Sequence, residues 1–327
     1  LAILYLLIFK KLIRRPWLLD MLVFVGLWTL AVFMWWNQPM IPSHFAPAPS
    51  APNFEYYPSS DAAVFDRSSY QLLYGAGFNT QLVRRPFYVG MLTLYHKISG
   101  PSYPGTIFLQ ILTLAFIPGL IYLLVTKLSS RLAGLLAGGL IVLREANAIY
   151  LSGEIIASHA KLMMSDMVTM LGVVAILYVC IILLTSHEHS PWLPAILGAS
   201  VGLITLVRAQ TAILLIPIML FIVLAKRPIK TGLRAVLFVF LGFVLLLSPW
   251  VWRNWHLTGT IVLDDRGEEK LLARNYSLNP VSLPLPLENE TEKEFSTRLH
   301  KEILSYVLTH PMDVTLFVSN HFFHNLM

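Results

Sequence analysis

The sequence predicts an all-α polytopic membrane protein, and three observations carry that prediction. Of 327 residues, 56% are hydrophobic and only 13% charged, where a soluble domain carries roughly 25% charged residues. Mean hydropathy is +0.66. The apolar residues gather into runs of about 20, the length that crosses about 30 Å of hydrocarbon as a helix, and Lys and Arg cluster beside those runs. The net charge of +6 therefore reads as membrane topology rather than as a nucleic-acid footprint. The one cysteine, Cys180, lies inside an apolar run, which excludes an intrachain disulfide or a thiolate metal site.

Leu1 to Phe9 is apolar but too short to span, and Lys10, Lys11, Arg14 and Arg15 follow it. The first span runs from Trp17 to Trp36, with Trp at both ends as interfacial anchors. Pro39 to Pro58 is Pro-rich and extended. Further spans are predicted at 106–125, 132–150, 167–185, 193–207 and 211–225, the last two hinged at Arg208-Ala209-Gln210. A seventh ends in Ser248-Pro249-Trp250. The Gly and Ala of 132–150 suit close helix packing, while Arg144, Glu145 and Asn147 near its end call for a wet cavity wall. His187 and His189 form a short hydrophilic turn and lack the further ligands a metal site needs. The domain reading is a bundle of about seven spans over 1–252, containing a first external loop at 37–105. A hydrophilic external loop follows at 253–310, and a further span begins at 311–327. With Leu1 first and an apolar run broken off at Met327, the chain reads as a fragment.

The basic clusters at 10–15, 127–131 and 226–234 hold ten Lys and Arg, and alternation puts all three on one side. The positive-inside rule makes that side cytoplasmic. The first loop, Glu154, Asp166, Arg208, Arg253 and Asn254 then share the external side of a multi-pass plasma (inner) membrane protein, with a periplasmic or extracellular active face. Residues 58–88 are the most polar part of the first loop. Read as a helix, Phe65, Ser69, Leu72, Leu73 and Ala76 fall on one side, and Asp66, Arg67, Tyr70, Gln71 and Tyr74 on the other. Such a helix would lie along the membrane surface with its acidic start in water, and Asp66 beside Arg67 would be a solvated pair.

Several features in this order carry a resemblance. They are Asp61-x4-Asp66-x3-Tyr70, Gly75-x-Gly77-Phe78, Arg85-Pro86-x-Tyr88, Ser165-Asp166 heading one span and Leu206-Val207-Arg208 ending another. Ser248-Pro249-Trp250-x2-Arg253-Asn254 and Tyr306-Val307-x2-His310-Pro311 complete them. The chain resembles the GT-C glycosyltransferases, specifically the group that uses dolichyl- or polyprenyl-phosphate sugars, such as the protein mannosyltransferases and aminoarabinose transferases. It departs from the usual first-loop pattern in having Ala62 where many members carry a second acid.

The resemblance implies a GT-C type helix bundle with amphipathic helices in the first external loop. It implies transfer of a sugar from a polyprenyl-phosphate donor to a hydroxyl on a lipid, glycan or protein acceptor, among membrane lipids and without nucleic acid. Asp61 would be the general base and Asp66 secondary. Arg208 and Arg253 would clamp the phosphate, with Tyr70, Arg85, Glu154, Asp166 and Asn254 as further substrate contacts. A phosphate leaves as an anion and needs no strong general acid, so one carboxylate suffices where a hydrolase uses two. No cofactor is required by this chemistry, and a divalent metal is left open. A lipid-linked sugar transporter or flippase is the competing class, and it would show charged or broken helices near the bilayer midplane and inverted repeats. A non-catalytic assembly subunit is the third.

Overall fold

Inside a bilayer no water is present to satisfy N–H and C=O groups, so an apolar run there must bond to itself, and coiling into a helix does this locally. The computed structural model describes residues 16–77, 83–155, 157–185, 191–226, 228–258, 261–263 and 287–324, and contains no strand among them. It is an all-α polytopic membrane protein. Five apolar segments are long enough to cross a membrane. They are α1 (Pro16–Asn37), α4 with α5 (Tyr103–Leu114 and Phe116–Leu128), α6 (Arg131–Tyr150), α7 (Ser165–Thr185) and α10 (Ile229–Thr258).

Two expected spans are shorter. Helix α8 covers Trp192–Thr205, and after Arg208 a 3-10 turn, Ala209–Leu214, leads into α9, Leu215–Ala225. Fourteen residues of α8 rise about 21 Å, less than a full hydrocarbon thickness. The hinge expected at Arg208-Ala209-Gln210 is therefore a real interruption. The break between α4 and α5 was not expected. Pro118 has no N–H to give the carbonyl of Leu114, which opens the ladder around Ala115.

The bundle packs through narrow stripes. Helix α1 buries Leu27, Ala31 and Trp35, four residues apart, and turns most of its remaining apolar surface outward. The Trp28 indole donates to the Leu112 carbonyl at 3.0 Å and that of Trp35 to the Val142 carbonyl at 3.1 Å. Helix α6 meets α5 at Gly134 and Gly138, where an added methyl would lie 2.6 Å from the Tyr122 carbonyl and 2.9 Å from that of Pro118. This is close packing of the kind its composition suggests.

Polar groups mark the two ends of this unit. At one end Asp20 at the start of α1 accepts from Arg131 at 2.7 and 3.1 Å and from the Tyr122 hydroxyl at 2.7 Å. At the other, the buried Lys161 donates to the carbonyls of Trp36 and Gln38 at 2.9 and 2.5 Å, closing the end of α1. Glu145, 1% exposed, accepts the Ala160 N–H at 2.5 Å and bonds Arg144 at 2.8 Å. These two residues of α6 are thus a hydrogen-bonded prop for the loop before α7. His159 lies buried in the same loop, where desolvation and Lys161 push its imidazole down to about 4. It is neutral at physiological pH.

Two further helices belong to the first loop: α2 (Asp61–Leu73) and α3 (Pro86–Ser99). A second unit comprises residues 250–327. In it α11 (Glu292–Thr309) starts with a capping box between Thr291 and Glu294. Glu290 takes Arg298 with both oxygens at 2.8 and 2.7 Å, which pulls its carboxyl down to about 2. The last helix, α12, is Pro311–His324.

Candidate functional site

The site is built where α2, α3 and α7 begin and α8 ends. Its foundation is the 37–60 stretch, where Ser43 and Ala46 bond to each other and the Ser59 N–H donates to the Phe45 carbonyl at 2.9 Å. That bond delivers the chain to α2, whose first residue is Asp61. Ser60 precedes it at φ 54, a left-handed conformation that is strained for a residue with a side chain, and its hydroxyl does not cap the helix. Asp61 is 48% exposed and forms a loose pair with Arg84 at 3.8 Å. It is more open than Asp166, whose side chain is 33% exposed.

From Asp61 a continuous run of contacts leads across three other elements. Arg84 is followed by Arg85, held at φ 53 just before α3. The Arg85 guanidinium donates to the Ser165 hydroxyl at 2.5 Å and lies 4.8 Å above the Phe65 ring, a cation–π distance. Ser165 heads α7, and its neighbour Asp166 is hydrogen-bonded to Arg208 after α8. The Phe87 N–H closes the circuit by donating to the Leu206 carbonyl at 3.2 Å. Asp166 and Arg208 remain about one-third exposed, at 33% and 38%. Residues 61, 84, 85, 165, 166 and 208, scattered over about half the chain, thus converge on one end of the bundle. Three arginines, a helix N terminus and two carboxylates, of which Asp61 is the more open, can hold an anion and take a proton from a hydroxyl.

Asp66 does not lie where the helical pattern suggested. Helix α2 buries Ala62, Phe65, Asp66 and Ser69, so Asp66 is on the inner face at 6% exposure. It is not a solvated partner of Arg67, which is exposed. One carboxylate oxygen meets His96 Nε2 at 2.8 Å, and the other accepts from the Tyr103 hydroxyl at 2.7 Å. A buried carboxylate is tolerated when it is paired and hydrogen-bonded in this way. The partners come from α3 and α4, 30 and 37 residues onward. Tyr70 stacks on His96 at 4.2 Å between centroids. It too faces this cluster.

Glu154 sits exposed in the turn after α6, and its side chain makes no hydrogen bond or ion pair with the run from Asp61 to Arg208 among the described residues. Arg253 and Asn254 belong to the second unit. There Arg253 donates to the Asn254 amide oxygen at 2.6 Å and lies 4.6 Å from the Trp250 ring, while Asn254 donates to the Val262 carbonyl at 2.8 Å. Phe78 of the Gly-x-Gly-Phe turn and the His187–His189 turn lie outside the described residues. Among the described residues no three His, Cys, Asp or Glu side chains come together as a metal site.

His96, Tyr103 and Thr106 were missed in the sequence. Their one visible signal is that His96, flanked by Tyr95 and Lys97, lies in the same first loop, 37–105, as Asp66. No protein-family model matches the chain, and no curated protein matches it in sequence.

Proposed function

We propose that this chain is a membrane glycosyltransferase that moves a sugar from a polyprenyl-phosphate donor to an acceptor hydroxyl at the external end of its helix bundle. The observation that carries this reading is the run Asp61–Arg84, Arg85–Ser165 and Asp166–Arg208 at one end of a membrane-spanning bundle. Asp61 accepts the acceptor's hydroxyl proton, the freed oxygen bonds to the anomeric carbon, and the bond from that carbon to the phosphate oxygen breaks. The electron pair leaves with the polyprenyl phosphate, whose added charge Arg208 and Arg85 stabilise. Apolar helix faces beside the site, such as the exposed Ile213 and Ile216, accommodate the polyprenyl tail. The interrupted α8–Arg208–α9 segment is a broken helix of the kind transporters also use, so transport is the reading that the fate of the donor must separate from transfer.

Arg208→Ala tests the phosphate clamp. The purified variant is expected to bind polyprenyl monophosphate roughly 10-fold or more weakly, a loss in line with about 1.5–3 kcal/mol for a hydrogen bond to a charged group. Arg208→Lys should restore only part of it, since an ammonium cannot make the planar bidentate contact. Unchanged binding by a folded Arg208→Ala protein would remove Arg208 from the site.

A further inference from the structure

The polar cluster behind α2 has a role that the transfer chemistry does not itself name. Asp66 is one turn and a residue beyond Asp61 on the same helix. Its carboxylate joins three helices: α2 through its own backbone, α3 through His96 and α4 through Tyr103. The imidazole continues the chain, with Nδ1 3.2 Å from the Thr106 hydroxyl, which lies 2.7 Å from that of Ser99. Hydroxyl, imidazole and carboxylate in sequence are the groups of a nucleophilic triad. Here, however, Thr106 is 0% exposed and His96 is 1% exposed, so no substrate reaches them. The groups facing His96 are Asp66 and Tyr70 from α2 and Tyr103 and Thr106 from α4. On the same helix face Phe65 packs edge-on against Tyr88 at 5.5 Å and carries Arg85 above it.

We propose that the buried Asp66–His96–Thr106 chain, with Tyr103, is the anchor that positions Asp61. It fixes the rotation and height of α2, and so sets the reach of the carboxylate at the helix's open end. Asp66 and His96 are positioning residues that act through Asp61, a role that rests on the transfer reading above. Apart from this anchor the inner face of α2 is tied to α3 by the Thr93 hydroxyl, which donates to the Ser69 carbonyl at 3.1 Å, and by apolar packing, and the left-handed Ser60 ahead of it provides no side-chain cap to hold its start. A misplacement of about 1 Å at a reacting group can lower turnover about 100-fold.

The test measures α2 directly, on the full chain in a Cys180→Ser background. Spin labels are placed at Arg67 of α2 and Tyr150 of α6, both exposed. A control pair goes at Leu128 and Trp192, exposed at the opposite end of the bundle. The 67–150 distance distribution should be narrow in the parent and broaden at least twofold in His96→Ala. His96→Gln should keep it narrow, because the Gln amide N–H can replace Nε2–H toward Asp66. The control pair should be unchanged throughout. A narrow distribution in His96→Ala overturns the proposal, as does a broadening that His96→Gln leaves unrepaired. Should His96→Ala fail to fold, Tyr103→Phe deletes only the hydroxyl at Asp66: broadening supports the anchor and an unaltered width overturns it. Polyprenyl monophosphate binding is measured in the same samples and should stay within twofold of the parent. Absence of binding in the parent counts against the transfer reading, while the distances judge the anchor by themselves.

Discussion

Asp61→Asn should abolish most sugar transfer while leaving the protein folded and able to bind the lipid donor. The two roles open to this residue differ enough in magnitude to be separated. As the first residue of α2 its charge favours the helix dipole, worth about 0.3–1 kcal/mol. Its pair with Arg84 is long and half-exposed, and exposed pairs contribute at most about 1 kcal/mol. A structural role alone therefore predicts a small drop in melting temperature and near-normal turnover. A general base contributes about 10²- to 10⁴-fold, equivalent to roughly 2.7–5.4 kcal/mol of barrier. Turnover and thermal unfolding measured on one purified sample decide between them. Asp61→Asn with wild-type turnover would show that the open carboxylate is not the base.

Gly198→Ala should produce the largest loss of stability of any single methyl in the bundle. The β-carbon would lie 1.8 Å from the Val239 carbonyl oxygen and 2.6 Å from its carbon. The obstacle is the backbone of α10, so the two helices must part; no side chain can turn aside. Gly242→Ala meets the Ala195 carbonyl from the other side at 2.1 Å, and should behave alike. Overpacking of this kind costs about 1–3 kcal/mol and sometimes more, enough to outweigh the ~1 kcal/mol that Ala gains over Gly in a helix. Gly139 supplies the control, because nothing lies within 4 Å of a methyl placed there. Gly139→Ala should leave the thermal unfolding temperature in detergent unchanged or slightly higher. A Gly198→Ala protein as stable as its parent would mean that α8 and α10 do not meet at these glycines.

Much of the architecture was legible because hydropathy reports a property of each run by itself. The spans of α1, α6, α7 and α10 needed nothing beyond length, apolarity and flanking charge. Helix α8 and the α4–α5 break were less legible, since their ends are set by backbone bonding around Arg208 and Pro118 rather than by hydropathy. The candidate site was legible only in pieces. Asp61, Asp166 and Arg208 each stand out as polar residues at the end of an element, yet nothing in the sequence pairs Arg85 with Ser165, 80 residues apart. The face of α2 was misjudged for a physical reason. A lone carboxylate belongs in water, and only His96 and Tyr103, brought in by tertiary packing, make the interior acceptable for Asp66. Glu145 is buried on the same terms, its lone pairs taken by Arg144 and the Ala160 N–H.

The fate of the donor tests the proposed activity most directly. The purified protein is placed in vesicles with a polyprenyl-phosphate sugar labelled with tritium on the sugar and radiophosphorus on the phosphate, together with lipid, glycan and protein acceptor fractions. Transfer predicts that the tritium leaves the lipid as sugar-free polyprenyl phosphate appears, one for one, and that Asp61→Asn stops both. If both labels instead remain on one molecule that merely passes between leaflets, the protein is a transporter and the chemistry assigned to Asp61 is wrong.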